Sequence, residues 1–279
     1  MPAWWLRKAR PRCCCRVPRT RGPGSSFRPC CRRAMIIDCE LYYHGPNEPV
    51  GGTVFGLEQL DALCRDAGVD QAVLMPAPTF LPRNRLVADA LAAAPQSRGR
   101  FVGCALVNPH FGEEAVGELA RAVREWGFRA AKLMPTLHAV GLIGPLAHPT
   151  MRKAQELGIP VTIHSGGSPA HPLEIGALAE AFPAVPVIMD HMGYRNHVGA
   201  AIAAAKRAPN LYLMTTAVME PHCIRDAVRE VGAHRVVFGS NGPAVRPSTQ
   251  ILVIKQAELA PADERKVLGE NAARLLRLS

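Results

Sequence analysis

Eight short apolar runs punctuate the chain, each followed by a stretch with helical spacing of its apolar positions. The runs are MIIDCELYY (35–43), QAVLMP (71–76), FVGCALVNP (101–109), FRAAKLMP (128–135), PVTIHSG (160–166), PVIMDHMG (186–193), NLYLMTT (210–216) and RVVFGSN (235–241). They are nearly continuous in apolar character, as parallel strands covered on both faces are. Between them, LEQLDALCRDAG (57–68) places Leu57, Leu60, Leu63 and Cys64 on one stripe and ends at Gly68, which suits a helix C-cap. EEAVGELARAVREWG (113–127) repeats the device with Val116, Leu119, Ala120, Val123 and Trp126, closing at Gly127. The same spacing predicts helices near 84–94, 149–158, 173–182, 197–207, 222–232 and 247–257, and a last one over PADERKVLGENAARLLRL.

Strand starts fall about 24–36 residues apart, the length of one strand–loop–helix–loop unit. Eight such units in about 245 residues predict an α/β fold, a single-domain (β/α)8 TIM barrel. A doubly wound open sheet is the alternative. It favours a glycine-rich phosphate turn after the first strand, and Gly51-Gly52 lacks that spacing.

Charge divides the chain in two. Of the 33 Lys and Arg residues, ten lie in residues 1–34, which contain no Asp or Glu; the remaining 23 balance the 23 acidic residues of 35–279. The net +10 therefore belongs to the leader and gives the barrel no nucleic-acid surface. Five of nine cysteines (Cys13, Cys14, Cys15, Cys30, Cys31) also sit there. Three in a row do not follow zinc-knuckle spacing. Residues 1–34 show no sustained periodicity, which predicts a disordered basic tail. They also lack the apolar core of a secretory signal, and low Ser content argues against a transit peptide. Because a strand begins at Met35, this residue is the expected true start and 1–34 a gene-start artefact. The scattered Cys39, Cys64, Cys104 and Cys223 read as small buried hydrophobes of a cytoplasmic protein, and no apolar stretch of about 18 residues predicts a membrane span.

Barrel chemistry sits at the carboxyl ends of the strands. Strict alternation places Asp38, Glu40 and Tyr42 on one face of the first strand and Cys39 and Leu41 on the other. The fourth strand offers Lys132, the fifth His164, the sixth Asp190 and His191, and the eighth Asn241. Any one of these alone reads first as a satisfied core polar group. Two histidines at the same level of consecutive strands point to a pocket. Arg195, on the loop after the sixth strand, suits a bidentate grip on a substrate carboxylate, though a solvated loop arginine has the same sequence signature. His44, Arg83 and Asn84 lie on early loops as further candidates.

The stretches IIDCELYYHG, RFVGCALVNP, GFRAAKLMP, GIPVTIHSG, MDHMG, VVFGSNGP and GENAARLL, in this order from 35 to 278, resemble the amidohydrolase superfamily. The resemblance is to its amidohydrolase-2 branch, related to aminocarboxymuconate-semialdehyde decarboxylase. That branch carries Asp-x-His-x-His on the first strand, a ligand histidine on the fifth, a catalytic or binding histidine on the sixth and an aspartate on the eighth. His164 and His191 match and Asp38 is retained, whereas Glu40, Tyr42 and Asn241 replace the two histidines and the aspartate.

The resemblance implies at most a weak site for one divalent metal, zinc or manganese, on Glu40, His164 and Asn241. It also implies catalytic roles for His191, His164 and Lys132, substrate contacts from Arg195, Tyr42 and Asn241, and a possible homodimer. Lys132 is carbamylated to bridge two metals in some superfamily members, but in this branch is usually unmodified. Three readings follow. The first is a hydrolase of a small ester, lactone or amide, in which His191 or His164 is general base and Lys132 or Arg195 steadies the oxyanion; metal-dependent decarboxylation is its close relative. The second is a non-catalytic barrel that binds a small molecule or partner. The third is nucleic-acid binding through the tail.

Overall fold

The computed structural model describes residues 34–278 apart from Arg98 and Arg195. The tail assigned to residues 1–34 and the proposed contact of Arg195 thus lie outside the described residues, save for Ala34. Among the described residues, eight parallel strands follow one another in sequence order around a barrel. They are β1 (Ile37–Tyr43), β2 (Gln71–Pro76), β3 (Phe101–Val107), β4 (Ala130–Leu133), β5 (Val161–His164), β6 (Val187–Asp190), β7 (Leu211–Met214) and β8 (Val236–Val237). The helices that cover them are α1 (Leu57–Ala67), α2 (Asn84–Ala93), α3 (Gly112–Arg124), α4 (His148–Leu157), α5 (Pro172–Ala181), α6 (Val198–Arg207), α7 (Pro221–Val231) and α8 (Pro247–Gln256). The predicted last helix forms in three turns, at Pro261–Arg265, Lys266–Glu270 and Asn271–Leu276. Gly68 caps α1 in the left-handed conformation, with φ 73°. No described helix is long and apolar enough to cross a membrane.

β1 and β8 close the barrel through Cys39 N–H donating to Phe238 O (2.9 Å), Tyr42 N–H donating to Gly242 O (2.7 Å) and a bridge between Leu41 and Gly242. A Cβ on Gly242 would lie 2.3 Å from Cδ2 of the buried Leu41 side chain, which would have to shift to admit it. The eighth strand is much shorter than the predicted 235–241, because Phe238 N–H turns away to Val267 O (2.9 Å) and Asn241 adopts φ 69°. The Gly51-Gly52 pair forms the turn of a small hairpin, Pro49–Val50 with Thr53–Val54, at φ 57° and 82°.

Strict alternation fails in β1. Asp38 stands opposite Ala72 and Leu41 opposite Leu74, so three steps on β1 match two on β2, a β-bulge. Cys39 consequently joins the buried cluster of Tyr42, Val73, Met75 and Cys104, while Leu41 and Tyr43 pack in the larger core with the helices. The expected three-and-two division of the strand is corrected accordingly. Asp38 is fully buried, and its Oδ1 accepts from Glu40 N (3.0 Å) and Ser240 N (2.9 Å), tying β1 to the loop after β8. Burial pushes its carboxyl up to about 7, although these hydrogen bonds oppose the rise.

Candidate active site

A buried ion-pair network crosses the barrel from β1 through β4 to β6. The Lys132 ammonium contacts Glu40 Oε1 (3.1 Å) and Asp190 Oδ2, and all three side chains have no exposed surface. Glu40 Oε1 also accepts from the Tyr42 hydroxyl, and Oε2 from Thr216 Oγ1 (3.2 Å). Burial alone would push the Lys132 ammonium down, but Asp190 and Glu40 reverse this and hold it charged. Burial also favours neutral Asp190, yet His191 and Lys132 hold that carboxyl well below the usual range. Glu40 goes the other way: burial, then the charge of Asp190, raises it well above the usual carboxylate range. One ammonium serves two carboxylates, and Asp190 keeps the larger share.

Above this network stand the two histidines. His191 Nδ1 lies 3.2 Å from the carbonyl oxygen of Thr216. A carbonyl only accepts, so Nδ1 carries the proton and Nε2 of the neutral ring is a bare lone pair. That lone pair sits 3.1 Å from His164 Nδ1 and 3.2 Å from Asp190 Oδ2, and His164 Nδ1 is 3.7 Å from the same oxygen. Burial pushes His191 down to about 4, so the ring is neutral near pH 7. His191 is nearly sealed, with 2% of its side chain exposed, whereas His164 shows 20% and opens onto a cleft of about 570 Å³. Thr136, Ser165, Tyr194, Asn196 and His197 also line that cleft.

The chain bends sharply to build this mouth. His191, Met192, Gly193 and Tyr194 have consecutive φ values of 59°, 47°, 80° and 54°. Left-handed backbone costs roughly 1–2 kcal/mol per non-glycine residue, and strain of this kind gathers at functional sites. Ser165 holds the bend by donating to Asp190 O and accepting from Gly193 N (2.9 Å). In return, the Tyr194 ring stacks on His191 (centroids 4.2 Å apart, 29°) and meets His164 edge-on at 5.8 Å.

Of the expected ligands Glu40, His164 and Asn241, Glu40 is engaged by the chain itself. Both of its oxygens are already taken by donors, and Asn241 lies half-buried on the left-handed loop after β8. The structure gathers His164, Asp190 and His191, whose donor atoms lie within 4.8 Å of one another. Their separations of 3.1–3.7 Å match the edge of about 3.4 Å that two metal bonds near 2.1 Å make at a tetrahedral angle. Imidazole and carboxylate suit zinc or manganese, and Asp190 Oδ1 is buried without a partner. The trio therefore fits a divalent cation in donor type and spacing.

Lys132, sealed between two carboxylates, is placed to orient Asp190 rather than to meet a substrate oxyanion. Tyr42, only 7% exposed, donates inward to Glu40 instead of facing a substrate. Of the three early-loop candidates, Arg83 pairs with Glu48 (2.9 Å) and Asn84 holds Leu106 O and Glu118, so these two serve structure. Tyr194, Ser165 and Thr216 escaped the sequence reading. Asp190 was named among the strand-end groups, but not as a metal ligand.

Solved structures of similar architecture include 2,6-dihydroxybenzoate decarboxylase from Rhizobium, with TM-score 0.71 and 18% identity over 88% of this chain and 99% of that one. A dihydroxybenzoic acid decarboxylase from Polaromonas, with bound manganese and the inhibitor 2-nitroresorcinol, gives TM-score 0.69 and 20% identity over 88% and 98%. In sequence, the chain is 25% identical over 252 residues to gamma-resorcylate decarboxylase of a Polaromonas strain, covering 70% of this chain and 75% of the relative. The amidohydrolase family model matches residues 42–278, and the chain belongs to that family, in the amidohydrolase-2 branch that its strand motifs resemble.

Proposed function

We propose that the chain is a decarboxylase of small hydroxylated aromatic carboxylates. The supporting observation is the convergence of His164 Nδ1, Asp190 Oδ2 and His191 Nε2, with His164 the member that opens onto a cleft it shares with Tyr194. Decarboxylation breaks the bond between a ring carbon and its carboxylate, leaves the electron pair on the carbon and releases CO2. A proton must then replace the lost group. His164 is the trio's solvent-facing member and the proton donor in this reading. Its Nδ1 faces Asp190 and His191, where a metal would bind, so the proton it gives is the one on Nε2, the nitrogen turned away from that network. After transfer, His164 regains its proton from water in the cleft. His191, neutral and fixed by Thr216, holds the His164 ring in place. A divalent metal held by His164, Asp190 and His191 would draw electron density from the substrate's carboxylate and neighbouring hydroxyl oxygens.

The test is CO2 release from a panel of hydroxybenzoates, with and without added Mn²⁺ or Zn²⁺. Release that falls roughly 10²–10⁴-fold in His164→Ala supports the assignment. A folded chain inert on every member refutes it. A second reading, water attack on a lactone or ester, draws on the same open cleft with His164 as general base, and a lactone panel separates the two. Inactivity on both panels, with the biological role intact in His164→Ala and His191→Ala, identifies a binding barrel.

A further inference from the structure

The lumen already holds a cation. Lys132 reaches from β4 to place its ammonium on Glu40 of β1 and Asp190 of β6, with no exposed surface on any of the three. Tyr42 and Thr216 donate to the same Glu40 carboxylate, so both oxygens of Glu40 are engaged from within the chain. The Asp190 oxygen in contact with the ammonium, Oδ2, is the one that faces His191 Nε2 (3.2 Å) and His164 Nδ1 (3.7 Å). A divalent ion bound through that oxygen would share it with a fixed positive charge, and one bound through Oδ1 would still share the carboxylate. Like charges at such separations repel far more strongly in a buried site than in water. The trio's geometry suits a metal; its electrostatics disfavour one.

We propose that Lys132 is the resident cation of this site and holds down the affinity of His164, Asp190 and His191 for divalent metal. The inference rests on the placement of a metal in the proposed function, but not on decarboxylation. Removal of the ammonium leaves an uncompensated carboxylate charge that a divalent ion can neutralise. The expected gain in affinity is roughly tenfold or more.

The experiment titrates Mn²⁺ into chelator-treated, desalted full-length protein and measures free Mn²⁺ by electron paramagnetic resonance. Wild type, Lys132→Met and the double variant Glu40→Gln/Lys132→Met are compared, each also with His164→Ala. The double variant removes the ammonium together with its rear carboxylate, so the nearer charge dominates its effect on the trio. Melting by circular dichroism, with and without Mn²⁺, monitors folding. Tighter 1:1 binding in both Lys132 variants, abolished by His164→Ala, is the expected result. If Lys132→Met alone fails to fold, the double variant decides. Variants that bind Mn²⁺ no more tightly than wild type overturn the proposal, as does a wild type that keeps one tightly held Mn²⁺ through desalting. The expected affinity shifts without CO2 release would count against the decarboxylase reading alone. CO2 release with unshifted affinities would count against the role of Lys132 alone.

Discussion

Asp38→Asn is expected to change how stability depends on pH rather than simply to lower it. The native carboxyl is fully buried and pushed up from 3.8 to about 7. A carboxyl whose pKa is raised on folding stabilises the native state fully below the unfolded value. That contribution is lost as pH rises toward the folded value. A shift of about three units corresponds to about 4 kcal/mol in all, of which about 3 kcal/mol falls between pH 5 and pH 8. Asparagine keeps an oxygen to accept from Glu40 N and Ser240 N but does not ionise. Whatever fixed cost the new amide brings, the variant should gain about 3 kcal/mol relative to wild type from pH 5 to pH 8. His191, pushed down to about 4 from 6.5, works in the opposite direction: its contribution is present above pH 6.5 and is lost as pH falls toward 4. The wild-type curve is therefore flatter than either group alone would make it, and only the difference between proteins isolates Asp38. Urea unfolding followed by circular dichroism at four pH values, with unchanged m, measures that difference. A difference that stays constant across the range would mean that Asp38 is ionised in the fold, and the reasoning from burial would fail.

Other outcomes follow from single contacts. Gly242→Ala forces a methyl to within 2.3 Å of Leu41 Cδ2 and should cost about 1–3 kcal/mol, read as a lowered melting temperature. Tyr194→Gly relieves a left-handed residue while stripping the ring from His191, so thermal stability should change little while KM for an active aromatic substrate rises; an unchanged KM would remove Tyr194 from the binding surface. His171→Ala removes the side chain that caps α5 by accepting from Leu173 N (3.3 Å) and should cost about 1 kcal/mol in urea unfolding.

Much of the architecture was legible because apolar runs and helical stripes are local. All eight strands and their following helices fall where the spacing puts them, with ends trimmed by a few residues. His164 and His191 were legible as a pair because each ends such a run. The bulge between Asp38 and Leu41 was not, since register depends on the partner strand. Nor was the engagement of Glu40, whose donors Lys132 and Thr216 lie 92 and 176 residues away. The left-handed run at Met192 and Tyr194 left no glycine at either position to betray it. Resemblance suggested ligands by position; the geometry also offers Asp190, the residue beside His191, as a candidate.

The two-residue β8 gives the barrel a mechanical seam. Two backbone hydrogen bonds and one bridge carry β1 across to β8, whereas β1 and β2 pair along five register positions. Thermal breathing should start at this hoop joint, and the amides of Cys39 and Tyr42 should exchange with deuterium sooner than those of β3 or β5. Glu40 lies between those two amides. Each opening of the seam would thus briefly wet opposing charges that are otherwise dry, coupling the barrel's breathing to the ion pair at its centre.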